Sequence, residues 1–249
     1  PSLPNINAFL IFWRKQVIML AAQGKDGAPA TGKYRDESIT LQVRNTIKDT
    51  FNLLSKECPI PIIIKTLKNF STPERRQPFY FWVGSREPHR PYEKNSWKKA
   101  NRKLADAKVP SFLPDKEAIK GDLLDYGTEI EWYDSQLSRI LDTLKEEGEL
   151  ENTLIIVMAD NGMPFPAAKA TCFEYGIHIP MAICWIGKIN EGGISDEFVS
   201  GVDLAPTILD AVGIPNKGQM AGISLLPYLQ KKRKDTGRTL VFAGRERHA

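Results

Sequence analysis

Six consecutive apolar residues, Leu154-Ile155-Ile156-Val157-Met158-Ala159, end abruptly on Asp160-Asn161-Gly162. A run this short, rich in β-branched side chains and unbroken by polar positions, predicts a strand buried on both faces of a parallel sheet. Its end leaves a carboxylate and an amide at the carboxyl edge of the strand, where open α/β sheets bind ligands. Asp-Asn-Gly is also a common turn sequence, so on these three residues alone a plain turn competes with a ligand site. Further on, Lys169 follows a loop punctuated by Pro164 and Pro166, which keep the backbone out of helix and sheet. An acid, an amide and an ammonium together suit a hard cation beside an anionic substrate group.

The remaining chain reads as helices and strands around that junction. Residues 79–84, FYFWVG, predict a second buried strand between Pro78 and Gly84. Beyond it His89 sits in Pro88-His89-Arg90-Pro91, where rigid placement of an imidazole suits proton transfer or anion contact. Residues 115–147 carry Ile119, Leu123, Tyr126, Ile130, Tyr133, Leu137, Ile140, Leu141 and Leu144 at helical steps, with Gly148 as the stop. The polar stripe of that helix, Asp122, Asp125, Glu129 and Asp134, reads as a solvated face. Residues 38–56 predict an amphipathic helix covering the sheet, 179–186 a third strand, 203–212 a short helix with Pro206 in its first turn, and 239–243 a last strand.

Residues 154–180, LIIVMADNGMPFPAAKATCFEYGIHIP, closely resemble the sulfatase family, within which A-D-N-G-x-P-F-P-x-x-K is similar to the heparan N-sulfatase branch. The helix sequence EIEWYDSQLSRILDTLKEEGELENTLII, the segment DLAPTILD and GISLLP resemble the same family, as does LPNINAF near the start. The resemblance implies an alkaline-phosphatase-like α/β fold, a mostly parallel central sheet flanked by helices, with the strand, long helix and strand forming a right-handed crossover. It implies calcium held by Asp160 and Asn161, sulfate bound by Lys169, and His89 lying against the sulfate and leaving group. Hydrolysis of a sulfate ester or sulfamate follows as the expected activity, on a sulfated sugar or glycosaminoglycan such as N-sulfoglucosamine. A non-catalytic sulfated-glycan binding module and a metal-dependent phosphodiesterase of the same superfamily are the alternatives; Asn161, where a phosphodiesterase would place a histidine, counts against the second.

The sequence departs from the family in one respect that bears on turnover. Sulfatases oxidise a cysteine or serine within C/S-x-P-S-R to formylglycine, whose hydrate attacks sulfur; this sequence has no such motif, nor an Asp-Asp pair to complete the metal site. Cys58 lies in ECPIPI, a different context. The expectation is therefore residues 1–230 as a partial catalytic domain, poorly matched over 1–78 and well matched over 79–229, incomplete at the N-terminus. Residues 231–249 would begin a C-terminal segment whose subdomain is missing, and the chain itself would have little turnover.

Composition narrows the partners. A hydrophobic content of 42% and charged content of 26% fit a globular core, and three unpaired-spacing cysteines exclude a disulfide framework. Arg14-Lys15-Gln16 interrupts the apolar residues before it, so neither a signal peptide nor a membrane span is expected; a periplasmic, secreted or lysosomal location would require an upstream leader. The net charge of +4 gathers in residues 94–108 and 231–238, runs that either attract acidic polymers or form solvated faces. Nucleic acid and membranes are not expected partners.

Overall fold

The computed structural model describes residues 79–216, 218 and 220–244, with residues 64 and 68 and the backbone of 13–22. Its elements in chain order are β1 (Trp13–Ala22), β2 (Tyr80–Gly84), the short helix α1 (Ser96–Lys99), α2 (Glu117–Glu146), β3 (Thr153–Gly162), α3 (Glu174–Ile177), β4 (Met181–Cys184), α4 (Leu204–Ala211) and α5 (Leu226–Leu229). The expected helix over 38–56 lies outside the described residues. No helix among the described residues is long and apolar enough to cross a membrane.

The four strands pair in the order β2-β1-β3-β4, and helices flank the sheet as an α/β chain requires. The strand directions differ from the expected mostly parallel arrangement: each of the three ladders is antiparallel. One cause is β1, unread in the sequence because Arg14-Lys15-Gln16 interrupts its apolar pattern. It inserts between β2 and β3 with Ile18 opposite both Val83 and Val157, so β2 and β3 themselves run the same way. The other cause is the connection from β3 to β4. A parallel return needs a crossover, commonly a long helix, whereas residues 163–180 hold only the four-residue α3 within a loop, and β4 comes back antiparallel with Ile156 opposite Ile183. Residues 239–243, expected as a strand, are irregular and largely exposed.

β3 is buried on both faces, as its uninterrupted apolar run demands. Ile155 faces Tyr133, Leu137, Ile140 and Leu144 of α2, together with Phe79 and Val83 of β2's side of the core. Leu154 and Ile156, pointing the other way by the two-residue period of a strand, pack with Trp185, Leu204, Ala211 and Leu226. Each such burial stabilises by roughly 1.5–3 kcal/mol relative to exposure. The sheet is thus the middle layer, with α2 on one side and α4 and α5 on the other.

α2 spans about 45 Å by its rise per residue, and its end is sharply defined. Gly148 takes φ 70°, the Gly148 N–H donates to Lys145 O at 3.1 Å, and the Glu149 N–H donates to Leu144 O at 2.9 Å. These two hydrogen bonds around a left-handed glycine satisfy carbonyls the helix would otherwise leave open. The N-terminal half of α2 covers something other than the sheet. Its Tyr126 and Ile130 bury Met163, Phe165 and Ala168, the residues that follow Asp160-Asn161-Gly162.

Candidate functional site

The loop after β3 is folded back on itself by backbone bonds. The carbonyl oxygen of Met163 accepts the N–H groups of Phe165 at 2.8 Å and Lys169 at 3.0 Å, closing residues 163–169 into one compact unit. Glycine is needed at its base for closeness rather than for an unusual φ. A Cβ on Gly162 would lie 2.1 Å from the carbonyl oxygen of Tyr175, and one on Gly176 would lie 2.3 Å from that of Thr171. Ala167 and Ala170, on either side of Ala168-Lys169, adopt φ 58° and 60°. Alanine enters this left-handed region at a cost of about 1–2 kcal/mol, and such strain concentrates at functional sites. Lys169 itself is half-buried.

Asp160 is exposed at the end of β3, and Asn161 donates to it through Nδ2. That bond turns the amide so that Asn161 Oδ1 is buried with no hydrogen-bond donor. A buried carbonyl oxygen without a donor is costly and uncommon. Beside a carboxylate it has the chemistry of a hard-cation ligand. The pair supplies two side chains of the six to eight oxygens calcium takes, and among the described residues no group of three or more His, Cys, Asp or Glu is placed to hold a metal ion. The two side chains offer oxygens of the kind a hard cation takes, fewer than calcium requires.

The segment after β2 reaches this loop through Arg90. Its guanidinium donates by Nη1 to Asp122 Oδ1 at 2.8 Å, by Nη2 to Asp122 Oδ2, and by Nε to Pro164 O at 3.3 Å. It also lies over the rings of Tyr92, at 4.6 Å, and Phe165, at 5.0 Å. The hydrogen bond to Asp122 raises the Arg90 pKa further, so the cation is permanent. Next to it the His89 ring lies with Nδ1 against the carbonyl oxygen of Arg90. Since that oxygen can only accept, the contact assigns the hydrogen to Nδ1.

Tyr126 of α2 packs beneath the loop. Its ring packs on Tyr92, at 5.9 Å between centroids, and edge-on against Phe165 at 5.8 Å. Burial, then the neighbouring Tyr92 and the Asp160 charge, push its hydroxyl well above its ordinary pKa, so it stays protonated.

His89 and Lys169 are therefore carried by segments tied to one loop, Arg90 to Pro164 and Phe165, and Lys169 to Met163, directly beyond Asp160 and Asn161. Sequence reading missed Arg90, Asp122, Asp125 and Tyr126. The stripe it took for a solvated face includes Asp125, which is buried and accepts from Asn95 N–H at 3.0 Å, Ser96 Oγ at 2.9 Å and Trp97 N–H at 3.1 Å. Asp122 and Asp125 stand three residues apart on the face that also bears Tyr126, an apolar neighbour that could have shown the face turning inward.

A family model described as Sulfatase matches residues 22–214. The chain is 33% identical over 135 residues to human N-sulphoglucosamine sulphohydrolase, covering 50% of this chain and 27% of that protein. It is 31% identical over 126 residues to an Ulvan-active sulfatase of Formosa agariphila, covering 51% and 21%. Human N-acetylglucosamine-6-sulfatase is 36% identical over 115 residues, covering 44% and 21%. The chain thus spans well under a third of the length of these relatives. Among solved structures, a phosphonate monoester hydrolase from Silicibacter pomeroyi aligns at TM-score 0.43 and 27% identity, covering 55% of this chain and 29% of that one.

Proposed function

Because the chain belongs to the sulfatase family, we propose that the rim beyond β3 is the sulfate site of a sulfuric ester or sulfamate hydrolase acting on sulfated glycosaminoglycan sugars such as N-sulfoglucosamine. The observation that carries this reading is the buried, donor-free Oδ1 of Asn161 beside the Asp160 carboxylate at the end of β3. A calcium ion bound by these two residues would supply Lewis-acid charge at the sulfate. Lys169 neutralises sulfate oxygens from the strained loop, and His89 passes a proton through Nε2 to the leaving oxygen or nitrogen. Arg90 positions His89 and the loop by its bonds to Asp122 and Pro164.

The sequence has no C/S-x-P-S-R, so the chain on its own binds sulfated sugar with little or no turnover. That same absence favours a second reading, a sulfated-glycan receptor that keeps the rim beyond β3 without the chemistry. The experiment is incubation of the 249-residue chain with N-sulfoglucosamine and calcium, following both sugar binding and sulfate release. Binding that is lost in Lys169→Ala, with no sulfate released, is the expected result. Sustained release overturns the inactivity, and binding indifferent to Lys169→Ala overturns the site.

A further inference from the structure

The two basic runs of the sequence have different fates in the fold. Within residues 231–238, Arg238 is spent on Asp203 and Arg233 donates to the carbonyl oxygens of Asp235 and Thr236, while Lys231, Lys232 and Lys234 are exposed; what sets these lysines apart is their place in the fold. That run follows α5, whose Leu226 packs on the sheet face opposite α2. Residues 94–116 lie on the α2 side. There Lys99 pairs with Glu93 and Arg102 with Glu131. Lys94, Lys98, Lys103, Lys108 and Lys116 are exposed, and among the described residues none of their ammonium groups pairs with a carboxylate.

These lysines are not on a loose excursion. The three donors that converge on the buried Asp125 carboxylate come from Asn95, Ser96 and Trp97, so the start of the lysine segment is fixed to α2. Trp97 packs over the same helix, with its Nε1 3.4 Å from where a Cβ on Gly121 would be. Asp122, which holds Arg90, lies one helical turn from Asp125, about 4.5 Å along the axis. The lysine segment and the His89–Arg90 segment therefore dock on adjacent turns of one rigid helix. The chain from His89 to Lys94 can span at most about 17 Å.

We propose that Lys94, Lys98, Lys103 and their neighbours form an extended binding strip for a sulfated polysaccharide, delivering a polymer rather than a single sugar to the rim beyond β3. This rests on the sulfated-sugar reading of that rim. Unpaired ammonium groups on a fixed backbone attract a polyanion without first having to break internal ion pairs, and each contact releases counterions. A nucleic acid shares the charge but also asks for stacking surfaces, and the nearby Trp97 is half-buried against α2 with Lys98 at 5.3 Å from its ring.

The test is titration of the 249-residue chain with an N-sulfated heparin dodecasaccharide at several salt concentrations. Lys94→Gln/Lys98→Gln/Lys103→Gln is expected to weaken binding about tenfold or more at low salt, and to reduce the salt slope by about 2–3, one unit or slightly less per lost contact. Lys231→Gln/Lys232→Gln/Lys234→Gln, on the sheet face away from the rim, is expected to change both clearly less. Three results overturn the proposal: a triple variant that binds like the parent, equal loss in the second triple variant, or equally tight binding of single-stranded DNA of matched charge. The unfolding midpoint of each variant, expected unchanged, checks that the fold is intact. A parallel titration with an N-sulfated monosaccharide separates the two readings. It should be insensitive to the lysine strip and sensitive to Lys169→Ala, so failure there removes the rim site and leaves the strip to be judged on the polymer.

Discussion

The guanidinium of Arg238 grips both carboxylate oxygens of Asp203, Nε to Oδ2 at 2.8 Å and Nη2 to Oδ1. The carboxylate is fully buried and also accepts the N–H groups of Ser200 and Ile223, each at 2.8 Å. One residue therefore joins the entry to α4, the segment before α5 and the chain beyond it. Burial alone would raise the Asp203 pKa, but the bonds from Arg238, Ile223 and Ser200 outweigh it and hold the pKa below its ordinary value.

Removing the guanidinium leaves the buried carboxylate with only its two N–H donors, so Arg238→Ala should lower the urea midpoint at neutral pH. The depressed pKa fixes the sign of the pH dependence. The stabilisation is complete above the ordinary carboxylate range, near pH 4, and is lost as pH falls through the lower folded value. Asp203→Asn should lower stability at neutral pH and flatten that acid limb.

The glycines separate by what surrounds them. Gly162→Ala and Gly222→Ala would put a Cβ 2.1 Å from Tyr175 O and 1.9 Å from Val202 O, and each should destabilise by about 1–3 kcal/mol as backbone shifts. Gly127, inside α2 with nothing within 4 Å of where a Cβ would stand, should behave oppositely. Gly127→Ala is expected to add about 0.5–1 kcal/mol, read as a higher denaturation midpoint with an unchanged slope.

Arg90→Lys keeps the charge but loses the planar fork on Asp122, the bond to Pro164 and the stacking on Tyr92 and Phe165. The ion pair is partly exposed, so the stability loss should stay near 1 kcal/mol. Affinity for N-sulfoglucosamine should fall alongside, and Asp122→Asn should reproduce the loss with Arg90 intact. Unchanged affinity in both variants would remove Arg90 from the positioning of the rim.

Asn161→Leu removes the donor-free buried oxygen, whose desolvation costs about 1–3 kcal/mol. Without calcium the variant should be no less stable than the parent in thermal unfolding. With calcium, the parent should gain about 2.7 kcal/mol at a hundred times its Kd, and Asn161→Leu should gain none. A calcium response that survives in the variant would place the ion elsewhere.

Some of this was legible in the sequence, and some was not, for physical reasons. β3 and α2 were readable because a doubly buried strand and a helix packed along one face each write their environment into a simple period. β1 was hidden because Arg14-Lys15-Gln16 interrupts its apolar run, and strand direction depends on how residues 163–180 are used rather than on any strand's own composition. Thr239-Leu240-Val241-Phe242-Ala243 has strand propensity but no ladder partner, so propensity alone did not make a strand. At the rim, Asp160, Asn161, Lys169 and His89 stood out by residue type and position. Arg90, Asp122 and Asp125 did not, since their partners lie about 30 or more residues away in the chain.

A single unbroken helix packs under the loop beyond β3 at one end and clads the strands at the other. With no hinge between them, a tilt imposed by repacking Leu137 or Ile140 swings the far end, where Asp122 and Tyr126 sit, through a larger arc. Substitutions deep beneath the sheet should thus alter sugar affinity as well as melting temperature, while equally disruptive ones around α5 alter melting temperature alone.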